Sequence, residues 1–295
     1  MFDALYKTVK KIVQDKQPIS TTGAIWYSCK WLTATEKGKV YLNPACKLSE
    51  NHRRSDAIAI YCVHGTADHP AAFSKITKRL LAKGLPEAIS SIHLVSFGKQ
   101  IEAQQPPKTD IAYYAELLME EIKLNGHKKV ILLGHSRGGL INAYAAENCA
   151  ARFEIEVLSV SSICSPFQGS ALAKKCLGYF SATIPQMAIG SPFLKELNRK
   201  IADSTRKYYF FVANADVIVS PRATVSWEYA YKHPTSLIIL ERHGHLSILS
   251  SHRLVDHLFE FIVNAAQITN CSLSEISKND EKTISSPSTS QIFLS

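Results

Sequence analysis

The sequence predicts an α/β fold: a mostly parallel sheet of about six core strands with helices on both faces. Three observations predict it. From Ala57 onward, short runs rich in β-branched residues alternate with stretches of helical period. The runs are apolar almost throughout, which is the pattern of strands covered on both sides. One of them, Lys129–Leu133, then passes through Gly134-His135-Ser136-Arg137-Gly138 straight into a helix-forming stretch.

In chain order, strands are expected at Ala57–Val63, Ser91–Phe97, Lys129–Leu133, Ile155–Ser161, Lys207–Ala213 and Ser236–Glu241. Helical spacing falls between most of them, at Ser74–Lys83, Asp110–Lys123, Gly139–Asn148, Arg222–Tyr231 and Ser247–Asn264. Residues 57–267 therefore read as the main domain. Residues 1–56 read as an extension that packs against it. Within the extension, Phe2, Leu5, Tyr6, Val9, Ile12 and Val13 share one helical face, with Lys7, Lys10, Lys11 and Lys16 largely elsewhere. Such an amphipathic helix suits either the domain's own surface or an anionic membrane surface. The stretch 165–200 breaks the alternation and is long for a plain connection, so it reads as a lid or acyl-pocket wall. Phe167, Leu172, Phe180 and Met187 are its candidate pocket residues. The tail over 268–295 is rich in Ser, Thr, Asn and Lys and is expected to be disordered.

Composition narrows the function. A chain of 295 residues with 46% hydrophobic content can bury a sizeable core. The seven cysteines are odd in number, scattered and without a C-x-x-C pair, as expected of free thiols in a reducing compartment. The amino terminus lacks the apolar region of a signal peptide, and no window approaches the roughly eighteen apolar residues of a membrane span. The protein is thus expected to be soluble and cytoplasmic at synthesis. The net charge of +9 is spread over the chain and no nucleic-acid motif accompanies it. An anionic membrane is a better partner for that charge than nucleic acid.

The chemistry sits at Gly134-His135-Ser136-Arg137-Gly138, a match to the G-x-S-x-G turn that exposes a nucleophilic serine between strand and helix. A serine hydroxyl needs a base, normally a histidine oriented by a carboxylate. Asp216 follows the strand ending at Ala213, and His245 follows the last strand with Gly244 before it and a helix behind it. Asp203 and Glu241 are rivals for the carboxylate, but the first precedes its strand and the second ends the next one. His243 is the alternative base. His243 and His245 lack the acidic or cysteine cluster that would complete a metal site, and no cofactor is called for. Two backbone N–H groups are needed for the oxyanion. Arg137, after the serine, and Thr66, in Val63-His64-Gly65-Thr66, are the candidates.

Taken together, these stretches resemble the lipase and esterase branch of the α/β-hydrolase superfamily, in particular bacterial triacylglycerol lipases and lipase-like acyl hydrolases. Ser165-Pro166-Phe167-Gln168-Gly169-Ser170 is similar to the segment where lipases often carry Thr-Pro-His-Arg-Gly-Ser. The resemblance covers roughly residues 57–264. It implies the α/β-hydrolase fold, a Ser136–His245–Asp216 triad, an acyl-enzyme intermediate and a lipid or acyl-ester substrate. Two departures stand out. Arg137 brings a charge to the mouth of the site, suited to an anionic head group or to solvent, and Phe167-Gln168 replaces His-Arg. The polar tail and basic charge are similar to those of bacterial effectors exported by a route other than general secretion. A thioesterase or peptidase would use the same machinery, and a hydrolase-like module that only binds membranes or proteins is the non-enzymatic alternative.

Overall fold

The computed structural model describes residues 37–49, 56–66, 68–98, 109–173 and 182–267. The amphipathic helix expected over 1–16, Phe180 and the polar tail lie outside the described residues.

Seven strands form one sheet in the order β1-β3-β2-β4-β5-β6-β7. They are β1 (Lys39–Leu42), β2 (Ile58–Val63), β3 (Ile89–Leu94), β4 (Lys129–His135), β5 (Glu156–Ile163), β6 (Lys207–Ala213) and β7 (Leu237–Leu240). All pair in parallel except β1, which runs antiparallel to β3 at one edge. The helices are α1 (Ser74–Ala82), α2 (Ile111–Leu124), α3 (Arg137–Tyr144), α4 (Thr183–Gln186), α5 (Pro192–Ala202), α6 (Trp227–Lys232) and α7 (252–267).

Two hydrophobic cores lie on the two faces of the sheet, and β2 shows how one strand serves both. Ala59, Tyr61 and Val63 join Leu118, Leu140 and Leu197 of α2, α3 and α5. Ile58, Ile60 and Cys62 join Leu80 of α1 and Leu258 of α7. Alternate side chains point to opposite faces, and here both faces are covered, so every residue of β2 is buried.

Local signals set the helix starts. The Asp110 carboxylate accepts the Tyr113 N–H at 2.8 Å and opens α2, whose buried Ile111, Tyr114, Ala115, Leu118 and Ile122 keep helical spacing. At α5 the Ser191 hydroxyl accepts the Leu194 N–H at 3.2 Å, and Pro192 takes the first helical position.

Two differences from the sequence reading concern elements that sequence patterns hide. Strand β1 belongs to the sheet although it falls in the supposed extension. It is four residues long and mostly exposed, so it carries no alternating pattern, and Asn43 fixes its end by donating to the Pro86 and Ile89 carbonyls. The stretch 165–200 runs into α5, whose Leu194, Leu197 and Ile201 join the core. No described helix is long and apolar enough to cross a membrane.

Candidate active site

Ser136 sits between β4 and α3 with φ 53° and ψ −123°, a strained conformation for a residue with a side chain. Its neighbours leave no room for relief. A Cβ on Gly138 would lie 2.1 Å from the Val63 carbonyl oxygen, and one on Gly134 would lie 2.5 Å from the Gly138 carbonyl carbon. Strand, turn and helix can therefore close together only with glycine at both positions. The Ser136 N–H donates to the Ile163 carbonyl at 2.8 Å, which ties the turn to the end of β5. The serine itself is only partly buried.

Asp216 follows β6 and is 6% exposed. One carboxylate oxygen accepts the N–H groups of Ile218 and Val219 at 2.8 and 2.9 Å. The other accepts from His245 Nδ1 at 2.7 Å. Burial pushes this carboxyl up, but the hydrogen bonds from His245, Val219 and Ile218 outweigh it and hold the group below the usual aspartate range. The carboxylate is therefore ionised and can only accept, so Nδ1 of His245 carries the proton and Nε2 is left as the basic nitrogen.

The two loops are laced together. The Ala215 N–H donates to the His243 carbonyl at 3.0 Å, and the Gly244 N–H donates to the Ser247 hydroxyl at 2.9 Å. It is His245 whose ring meets Asp216; His243 meets the aspartate loop through its backbone. Of the rival carboxylates, Asp203 lies beside Arg199 at 3.7 Å and Glu241 is exposed just beyond β7.

Two residues not singled out in the sequence support this arrangement. His135 Nε2 donates to the His245 carbonyl at 2.9 Å, and the two rings lie 4.8 Å apart. Burial, reinforced by His245, holds His135 at about 3, so it stays neutral at physiological pH. Because His135 and Ser136 are adjacent, this contact also brings the His245 loop beside the serine. Cys164, at the end of β5 with φ 50°, offers its thiol to the same carboxylate. Cys164, Asp216 and His245 have donor atoms within 4.8 Å of one another, close enough to share a cation. However, the histidine and aspartate atoms are already bonded together, and burial pushes the thiol well above its ordinary range. The cluster is therefore built for hydrogen bonding.

The loop carrying Thr66 runs alongside the serine: a Cβ on Gly65 would lie 3.0 Å from the Ser136 Cβ. Thr66 itself is exposed. His64 is buried and bonds through Nδ1 to the Gly65 carbonyl at 3.0 Å. Arg137 departs from expectation. Its side chain is 1% exposed, with the guanidinium 4.6 Å from the centre of the Tyr114 ring. A desolvated cation over an aromatic face is favourable by about 2 kcal/mol, and its charge points into the protein, away from the mouth of the site.

Of the pocket residues expected in 165–200, Phe180 lies outside the described residues, and the other three have different surroundings. Phe167 is fully buried and packs edge-on against Phe210 of β6. Met187 is buried in the same core. Leu172 is 57% exposed on the surface.

Comparison with known proteins agrees with this architecture. The family model described as serine aminopeptidase, S33, matches residues 54–235, more than half of the chain. No curated protein sequence matches it. Among solved structures, the chain resembles MGS-MChE2, an α/β hydrolase from the metagenome of lagoon sediments at Mar Chica, Morocco. The TM-score is 0.52 at 17% identity, over 77% of this chain and 95% of that one. A carboxylesterase structure from the thaumarchaeon Nitrososphaera gargenis gives 0.51 at 14% identity, over 79% and 97%. Est1E of Butyrivibrio proteoclasticus, solved with ferulic acid, gives 0.51 at 12% identity, over 80% and 95%.

Proposed function

The chain belongs to the serine aminopeptidase S33 family of α/β hydrolases, and from that membership we propose that it is a serine hydrolase of carboxylic esters, acting on fatty acyl esters through an acyl-enzyme. The observation that carries this reading is the His245–Asp216 pair. A buried, doubly anchored carboxylate holds one face of a histidine whose loop is tied to the residue before Ser136. The carboxylesterase and esterase structures that share the fold are consistent with ester chemistry.

In the proposed reaction the Ser136 oxygen attacks the ester carbonyl while His245 Nε2 takes the hydroxyl proton. The carbonyl oxygen becomes an oxyanion received by the N–H groups of Arg137 and Thr66. Losing one such donor costs roughly 10²–10³ in rate. Collapse of the intermediate breaks the bond to the alcohol, which leaves with the proton from His245. Water then repeats the sequence on the acyl-serine and releases the acid. Asp216 stays ionised throughout, orienting the imidazole and stabilising it while it is charged.

Fatty acyl specificity draws on the exposed apolar side chains near Asp216. Val217 follows it directly and is 75% exposed. Ser170 bonds to the Ile218 carbonyl at 3.1 Å and pairs with Ala188, which brings exposed Leu172 and Ile189 to the same rim. Each methylene buried there contributes about 0.8 kcal/mol, so preference should rise steeply with chain length.

The test is labelling with a fluorophosphonate, wild type beside Ser136→Ala, followed by a p-nitrophenyl ester series from acetate to palmitate. Labelling of the wild type alone and rising kcat/KM with chain length are expected. No labelling of either protein would sink the catalytic reading and favour a binding module. Acetate cleaved as well as the longer esters would sink the lipid reading. The family description favours one second reading, a peptidase, and faster cleavage of aminoacyl p-nitroanilides than of any ester would establish it.

A further inference from the structure

Cys164 follows the last residue of β5 and is wholly buried, yet its backbone is left-handed, at φ 50°. Glycine adopts that conformation freely, whereas any other residue brings its Cβ against the backbone. Neighbouring strands hold the residue there. The Cys164 N–H donates to the Phe211 carbonyl of β6 at 2.9 Å, and the preceding carbonyl, on Ile163, accepts the Ser136 N–H at 2.8 Å. Core filling alone does not account for a side chain at a position that glycine fills without strain.

What the position supplies is direction. The sulfur lies within 4.8 Å of a carboxylate oxygen of Asp216 and of a ring nitrogen of His245. The Ala213 N–H bonds to the sulfur, and the S–H bonds to Asp216. Burial, then the charge of Asp216, push the thiol well above its ordinary range, so it keeps its proton and remains a donor.

Asp216 thus receives four donors on two oxygens. One oxygen accepts from Ile218 and Val219, and the other accepts from His245. The acceptor capacity left for the thiol is on the oxygen bonded to His245. A second donor there draws negative charge out of that bond. The loss weakens the carboxylate's hold on the charged imidazolium more than on the neutral ring.

We propose that Cys164 is a positioning residue of the His245–Asp216 pair, whose S–H shares the carboxylate with the imidazole and so favours the neutral ring that accepts the serine proton. This role rests on the proposed triad. Among the described residues, the titratable groups set against His245 are Asp216, Cys164 and His135, with Asp68 and His64 behind His135. Substitution of Cys164 leaves the others in place, and His135, held at about 3 by burial, stays neutral between pH 5 and 8.

NMR titration of the His245 ring in the full chain, its signal identified by loss in His245→Gln, reads the effect without a substrate. Cys164→Ala should raise the His245 midpoint by about half a unit or more. The acid limb of kcat/KM for a p-nitrophenyl ester should move up with it. Cys164→Ser, which restores a donor, should return both toward the wild-type values. Cys164→Gly should shift the midpoint as far as Cys164→Ala and melt no lower, because its left-handed backbone carries no Cβ. An unmoved midpoint in Cys164→Ala or Cys164→Gly, whatever the Tm, would overturn the proposal and leave the cysteine a core filler. So would a Cys164→Ser variant that titrates like Cys164→Ala. A shifted midpoint in a protein that fluorophosphonate does not label would uphold the contact and sink the hydrolase reading instead.

Discussion

Acidification from pH 7 to 5 should destabilise the fold moderately, and a single substitution should about double the loss. Burial holds His93 and His135 at about 3, against an ordinary 6.5. Each is neutral in the fold but takes a proton in the unfolded chain below pH 6.5. Their contribution is therefore complete above pH 6.5 and is lost as pH falls toward 3. Glu121 has the opposite sign. Burial raises its carboxyl from 4.5 to about 7, so the fold binds a proton there that the unfolded chain takes only below pH 4.5. Between pH 6.5 and 4.5 the unfolded chain thus holds two extra protons on the histidines and the folded chain one on Glu121.

Each such proton changes stability by about 1.4 kcal/mol per pH unit. From pH 7 to 5 the two histidines together cost about 4 kcal/mol, and Glu121, already half protonated in the fold at pH 7, offsets about 2 of it, leaving a net loss of about 2 kcal/mol. Glu121→Gln removes the offset, and the loss over the same range becomes about 4 kcal/mol. Urea denaturation followed by circular dichroism at pH 7, 6 and 5 reads both values by linear extrapolation. If the variant loses no more stability than the wild type, Glu121 is ionised in the fold and the reasoning fails.

Gly138→Ala should cost about 3 kcal/mol, because its Cβ would sit 2.1 Å from a backbone oxygen of β2, a strand paired on both sides. Gly84→Ala, at φ +80° with nothing within 4 Å, should cost only about 1 kcal/mol, and equal urea midpoints for the two would refute the packing argument. Asp216→Asn keeps the hydrogen-bonded shape but removes the charge, and kcat for the best ester should fall by roughly 10³–10⁴ with KM little changed. A fall below tenfold would remove Asp216 from the proposed mechanism. Phe167→Ala should destabilise by about 3–5 kcal/mol through loss of core packing and leave acyl-chain preference unchanged. A shift in that preference would return Phe167 to the acyl pocket.

The parts of the fold that the sequence reveals are those whose environment is uniform along an element. Lys207–Ala213 reads as a strand because both faces of β6 are covered, and its burial runs almost unbroken. β1 fails that condition: it is exposed on the sheet's edge and too short to show alternation. α5 was legible in principle, since Ser191-Pro192 is a helix-start signal and Leu194, Leu197 and Ile201 follow at helical spacing. Its neighbours' aromatic residues suggested a pocket wall and hid that periodicity.

The candidate site divides along a different line. Ser136, Asp216 and His245 can be chosen from chain order and from their places just past strands, because a parallel sheet delivers all such loops to one edge. What lies beside them depends on register. His135 stands opposite Ile163 in the β4–β5 pairing, and Cys164 is the next residue along β5. Nothing in either local sequence announces a contact with His245 or Asp216. A shift of one residue in that pairing would turn Cys164 away from Asp216 and His135 away from the His245 carbonyl, while leaving every motif intact. Arg137 makes the same point from the other side. Its position in the motif suggests a charge at the mouth, and only the packing of α3 against α2 shows that the charge is turned onto Tyr114. Motif residues identify which chemistry is available, and strand register decides which neighbours tune it.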